Sequence, residues 1–247
     1  MKFSPVFTLT EEIQEDLHEL DVLNEAIQYI PVEPAALNYL RTKSLLASSL
    51  YSARIEGNPL TLGELAGGGK SVRRKEVENI NRALRFIEGN KSAVNVGLLC
   101  KLHGIILDGI SGEAGILRHE ESAIFNEAGV AVYLAPAPGN LKSLLEAMCT
   151  WIAESHVAAP VTAAVAHIWF EKIHPFLDGN GRVGRTLVQQ ILVGGGYRFA
   201  GVLPFEEYLD THREQYYDSL MSDKQDVSEF IQFFLHTLVY QARRTLE

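Results

Sequence analysis

The sequence predicts an all-α fold, a helical bundle with one inserted β-hairpin. Three observations carry that prediction. Apolar residues recur at three- and four-residue spacing along most of the 247 positions. The ends of those runs carry helix punctuation: Thr, Asn or Pro before them, Gly or Pro after them. One segment, 115–140, has no helical period. There "SAIF" and "VAVYL" flank "NEAG", a turn between two short strands.

Taken in order, Thr10 caps a helix that opens with Glu11 and Glu12 and carries Ile13, Leu17, Leu20 and Leu23 at helical spacing. Pro31 and Pro34 break it. A second helix runs over about 33–56 with Leu37, Leu40, Leu45, Ala47 and Leu50 expected inward. "GNP", 57–59, stops it, and "AGGGK", 66–70, reads as a flexible loop. Helices follow at about 73–88, ended by Gly89-Asn90, and at about 92–108. After the hairpin, "APAPGN" leads to Asn140, which is placed to cap a helix at 141–155. The next helix spans 160–173, with Pro160 in its first turn and Pro175 as its stop. Another runs from Gly179 to the "GGG" at 194–196. Pro204 opens a helix to about Met221, and Asp226 caps the last. The chain divides into N-terminal helices, 1–91, and a core from 92 to 247, expected as one compact unit.

Bulk properties narrow the function classes. The formal net charge is −9, which argues against a general nucleic-acid binder, since phosphate contacts need clustered Lys and Arg. The basic run "KSVRRK", 70–75, reads as a solvated helix start. Cys100 and Cys149 lie in apolar surroundings without a CxxC pattern, as reduced thiols do. The N-terminus has no basic region followed by an apolar run, and no segment reaches membrane-span length. A soluble cytoplasmic protein without a membrane partner is the expectation.

Chemistry concentrates in "IHPFLDGNGRVGR", 173–185. A residue before Pro is pushed out of the right-handed helical region, so His174 is expected at a helix end in extended geometry. At least one of Phe176 and Leu177 should anchor the loop in the core. Gly179-Asn180-Gly181 permits a tight turn and close approach to a ligand, and a helix begins at once. A glycine-bearing loop feeding a helix N-terminus is an anion site. Arg182 and Arg185, three apart, share a face there, where the helix dipole disfavours cations unless a polyanion is bound. Asp178 offers a hard oxygen suited to Mg²⁺ beside phosphate, and His174 is placed as general base toward a hydroxyl. Taken singly, each feature is also an ordinary structural one. A phosphate site and a decorated turn both remain open on these grounds.

"HPFLDGNGRVGR" matches HPFx[D/E]GNGRxxR at every specified position. That pattern is the signature of the Fic family, which this chain resembles over most of its length. The resemblance implies a protein adenylyltransferase that moves AMP from ATP to a Ser, Thr or Tyr hydroxyl of a target protein. It implies His174 as base, Asp178 as Mg²⁺ ligand, and Gly179, Asn180 and Gly181 around the α-phosphate. Arg182 would bind phosphate oxygens and Arg185 the γ-phosphate. The hairpin at about 120–135 is similar to the family's flap, which pairs with the target segment. "SARIEGNPLT", 52–61, resembles the [S/T]xxxE[G/N] inhibitory motif. Glu56 would then pair with Arg185, with Ser52 orienting Glu56, whereas composition alone favours a solvated carboxylate there. Some relatives use the same Glu to remove AMP, and a regulatory or toxin–antitoxin-type module is a further alternative. A homodimer is among the partners implied. The winged-helix DNA-binding domain of many relatives is absent from this chain, so no nucleic-acid partner is expected. His167 reads as a core or supporting histidine, and the Tyr216-Tyr217 pair as core or pocket border.

Overall fold

The computed structural model describes residues 2–29, 31, 33–90, 92–125, 131–221 and 225–246. Within them the chain is helical apart from one hairpin. The order is α1 (Glu11–Ala26), α2 (Pro34–Ile55), α3 (Leu62–Ala66), α4 (Val72–Glu88) and α5 (Val96–Ile106). Strands β1 (Ala123–Phe125) and β2 (Ala131–Leu134) follow, then α6 (Leu141–Glu154), α7 (Ala159–Ile173) and α8 (Asn180–Gly194). α9 (Glu206–Thr211), α10 (Arg213–Leu220) and α11 (Ser228–Leu246) complete it.

α7 and α8 form the centre. Nearly every residue of α7 from Pro160 to Phe170 is buried, and so is α8 from Val183 to Leu192. α7 is largely apolar all round and must be enclosed on all sides, whereas α8 is enclosed with Arg185, Gln189 and Gln190 inside. α4, α5 and α2 cover α8, while α6 and α11 cover α7. A single apolar cluster runs from Ile13 in α1 through Leu50 in α2 to Leu238 in α11. The N-terminal helices therefore share the core of the later ones. α1 lies against α11, and Val6 pairs with the start of α11 through a 2.9 Å bond from Val227 N–H.

Local chemistry accounts for the boundaries. Thr10 Oγ1 accepts from Ile13 N–H, as its position before two acids predicts. α3 was not anticipated. Thr61 and Glu64 form a reciprocal capping box there, legible in hindsight as T-x-x-E. Three expectations need correction. Asn140 makes no side-chain cap; it ends a 3-10 turn, Pro138–Asn140. The helix from Pro204 to Met221 is broken at His212 into α9 and α10. Leu37 and Leu40 are exposed, because the first ten residues of α2 extend past the core and only the second half packs.

β1 and β2 pair antiparallel, Ala123 opposite Leu134 and Ile124 opposite Tyr133, with a register shift at Phe125. The "NEAG" turn lies outside the described residues. No helix among the described residues is long and apolar enough to cross a membrane.

Candidate active site

The loop between α7 and α8 is tied at both ends. α7 ends at His174, whose φ of 47° and ψ of 60° put it in the left-handed region. That corrects the extended geometry expected before Pro175. Proline excludes the right-handed helical region but leaves two others, and here the left-handed one closes the helix. Among the described residues it is the only non-glycine with positive φ. Such a conformation costs about 1–3 kcal/mol for an ordinary residue and persists only where neighbours hold it.

Phe176 is the anchor: it is fully buried, while Leu177 is exposed. The Phe176 ring stacks on His103 at 3.8 Å, nearly parallel. His103 Nδ1 accepts from Gly115 N–H at 2.8 Å, which leaves Nε2–H to donate to the Asp178 carbonyl at 3.0 Å. Asn180 clasps the loop twice. Its Oδ1 accepts from Phe176 N–H at 2.9 Å and its Nδ2 donates to the Phe176 carbonyl at 2.8 Å. The Asn180 side chain is thus spent on the loop, and only its backbone faces the expected anion position.

Gly179 precedes α8 with φ of 80°, and no side chain caps the helix. Uncapped first-turn N–H groups attract anions. Asp178 Oδ1 accepts from Gly179 N–H at 2.6 Å and from Arg182 Nη2 at 2.7 Å, and its side chain is 63% exposed. Arg182 is otherwise buried, with Glu76 of α4 at 3.6 Å on its other side. Among the described residues no three His, Cys, Asp or Glu side chains gather at one point. One exposed carboxylate beside a phosphate position still fits Mg²⁺, which binds through one or two carboxylates plus substrate oxygens.

Glu56, the residue after α2, reaches over this helix start. Its Oε1 accepts from Arg185 Nη2 at 2.8 Å. A Cβ placed on Gly181 would lie 2.2 Å from the same oxygen, so the carboxylate rests directly on the first turn of α8. Ser52 behaves differently from expectation. Its Oγ accepts from Arg185 Nε and its carbonyl from Arg185 Nη2, both at 2.9 Å. Ser52 therefore positions the guanidinium rather than the Glu56 carboxylate.

Beneath lies a buried polar layer. His167 Nε2 meets the Tyr216 hydroxyl at 2.7 Å, and burial pushes the His167 imidazole down to about 3. Glu171 is pushed up to about 8 by burial and then by the Glu56 charge. Burial also lowers the His174 imidazole below its usual range, so it is neutral near pH 7. The Tyr217 ring lies 5.5 Å from that of Tyr216, and its hydroxyl donates to the Ile55 carbonyl at 2.9 Å, holding the end of α2.

Arg118 is the site residue missed in the sequence, where it is a lone Arg in the aperiodic segment. It is 2% exposed, and its Nε donates to the His174 carbonyl at 2.7 Å.

Residues 93–192 match the Fic/DOC family model. The chain carries a Fic/DOC family domain. A curated relative, Protein adenylyltransferase Fic of Drosophila erecta, is 28% identical over 237 residues, 89% of this chain and 46% of the relative. The chain thus spans about half the length of the curated relatives it matches. A crystal structure of a Fic family protein from Desulfovibrio desulfuricans superposes with a TM-score of 0.88 at 25% identity, covering 99% of this chain and 77% of that one. IbpAFic2 in complex with adenylylated Cdc42 shares the fold alone, with a TM-score of 0.53 at 16% identity over 92% of this chain and 70% of that one.

Proposed function

We propose that this Fic protein transfers AMP from ATP to a hydroxyl side chain of a target protein and restrains itself through Glu56. The observation that carries the transfer reading is the intact His174–Arg185 loop, feeding an uncapped helix start within a Fic domain. The relatives named protein adenylyltransferase support a protein as acceptor.

In this reading the N–H groups at the start of α8 receive the α-phosphate, with Arg182 and Arg185 on the outer phosphates. His174, neutral near pH 7, takes the proton of the acceptor hydroxyl. The hydroxyl oxygen bonds to the α-phosphorus, and the bond to pyrophosphate breaks. Asp178 would hold Mg²⁺, which supplies charge neutralisation at the phosphate oxygens. The hairpin would hold the acceptor segment by main-chain pairing.

The restraint rests on the Glu56–Arg185 pair. While Glu56 holds Arg185 and lies against Gly181, ATP meets a carboxylate where its phosphates belong. The same position favours a second reading, removal of AMP from a modified protein, with Glu56 orienting a water. A homodimer and a cytoplasmic location belong to the proposal as well.

Incubation with labelled ATP and Mg²⁺ separates these readings. Glu56→Gly should raise self-modification at least about ten-fold, on the scale of one charged hydrogen bond of about 1.5–3 kcal/mol. His174→Ala should abolish it. Equal labelling of wild type and the Glu56 variant would sink the restraint. Release of AMP from a pre-modified protein by wild type, lost in Glu56→Gly, would favour removal.

A further inference from the structure

Arg118 joins three pieces of chain: the His174-Pro175 step and the two ends of the hairpin. Its backbone N–H donates to the Pro175 carbonyl at 2.9 Å and its Nε to the His174 carbonyl at 2.7 Å. Both carbonyls of the His-Pro step are thus held by one residue. Its Nη1 donates to the Glu120 carbonyl at 2.8 Å, and its Nη2 to the Pro136 carbonyl. Glu120 precedes β1 and Pro136 follows β2, so the guanidinium closes the base of the hairpin.

A planar five-donor fork can serve three carbonyls in fixed directions, which an ammonium cannot. The side chain is buried, and burial pulls its pKa down. A buried cation is costly unless its donors are bonded, and the three carbonyls supply those bonds. His174 holds a left-handed backbone that requires support, and Arg118 grips the carbonyl that fixes its ψ. A second tether acts on the same pair of elements: Tyr133 Oη of β2 donates to the Lys172 carbonyl of α7 at 2.8 Å. The hairpin and the histidine are therefore set at one distance from each other.

We propose that Arg118 is the positioning residue that registers the hairpin, and any segment paired to it, against His174. The proposal rests on the transfer reading for its kinetic consequence, but its structural core stands apart from it. A segment bound along the hairpin would present its hydroxyl to the imidazole only while this clasp holds. Arg118 touches neither nucleotide nor hydroxyl in this scheme, so nucleotide affinity should not depend on it.

The test uses the full chain carrying Glu56→Gly, with and without Arg118→Lys or Arg118→Gln. Two readouts are independent of activity: the His174 imidazole signal by NMR, and amide exchange in the hairpin, including Ala135 N–H, which bonds to the Ser122 carbonyl at 2.9 Å. Both should change in the Arg118 variants while ATP affinity stays within about three-fold. Transfer at saturating ATP should fall ten- to about a hundred-fold, the effect expected of roughly 1 Å of misplacement. An unshifted imidazole signal or unchanged exchange in a folded Arg118 variant overturns the proposal. If Glu56→Gly alone transfers nothing, the transfer reading fails, while the two structural readouts still decide the coupling. If neither Arg118 variant folds, exchange in the unsubstituted Arg118 protein decides. Base amides of the hairpin should then exchange only together with the amides that flank Pro175, those of His174 and Phe176; independent opening overturns it.

Discussion

Asn180 illustrates what a residue does beyond its motif. Its amide satisfies both the N–H and the carbonyl of buried Phe176. Asn180→Ala strips both partners and leaves two enclosed backbone groups unpaired, at about 2 kcal/mol or more. For a chain of this size that lowers the melting midpoint by about 4–8 °C. Asn180→Asp keeps the acceptor for Phe176 N–H but loses the donor and adds a charge beside the anion position. It should melt between wild type and Asn180→Ala, and bind ATP more weakly than wild type in a calorimetric titration. At this scale the residues of the proposed site could be named from the sequence, and their contacts could not. The glycines and arginines of 179–185 raise the expectation of an anion site. The left-handed turn at His174 was not readable, because the rule before proline excludes one conformation without choosing between the others. Arg118, 56 residues upstream, holds the conformation that is adopted. Ser52 was read as supporting Glu56, and only the packed geometry reveals that it holds Arg185 instead.

At the scale of elements, α2 joins the core to the site. Its second half is buried and its end is pinned twice: Tyr217 Oη donates to the Ile55 carbonyl at 2.9 Å and Arg213 Nη2 to the Arg54 carbonyl at 2.7 Å. Those bonds hold the backbone from which Glu56 reaches Gly181. Tyr217→Phe removes one neutral hydrogen bond, worth about 0.5–1.5 kcal/mol, without touching either charge. Initial rates of self-modification should rise two- to about ten-fold, less than in Glu56→Gly. No increase would mean that α2 is held by its packing alone. The boundaries of α2 were legible from Pro34 and Gly57. Its facing was only half legible. Leu37 and Leu40 satisfy the helical period, yet their stretch lies beyond the core, and periodicity cannot report where a core stops. The break at His212 was equally hidden, since no Gly or Pro marks it.

For the whole molecule, the buried layer under Arg185 makes stability depend on pH in a direction set by neutral acids. Burial pushes Glu171 up to about 8 and Glu206 up to about 7, and both carboxyls ionise near 4.5 when the chain is unfolded. Between those limits the folded state binds more protons than the unfolded one, so stability falls as pH rises. His167 acts oppositely. Its folded value near 3 lies below its unfolded 6.5, so its contribution is present above 6.5 and is lost as pH falls toward 3. The two tendencies offset each other in acid. From pH 7 to 8 the imidazole term has levelled off, Glu206 gives up most of the half proton it still holds at pH 7, and Glu171 supplies the larger part of the decline. The melting midpoint should therefore decline across pH 7–8, and Glu171→Gln should flatten that decline. The charge of Glu56 is the second cause raising Glu171. Glu56→Gly should move the decline to lower pH, which a series of melts at quarter-unit intervals would resolve. A decline unchanged in both variants would mean that Glu171 is not the group that titrates there and would break the electrostatic link between Glu56 and the acid beneath Arg185.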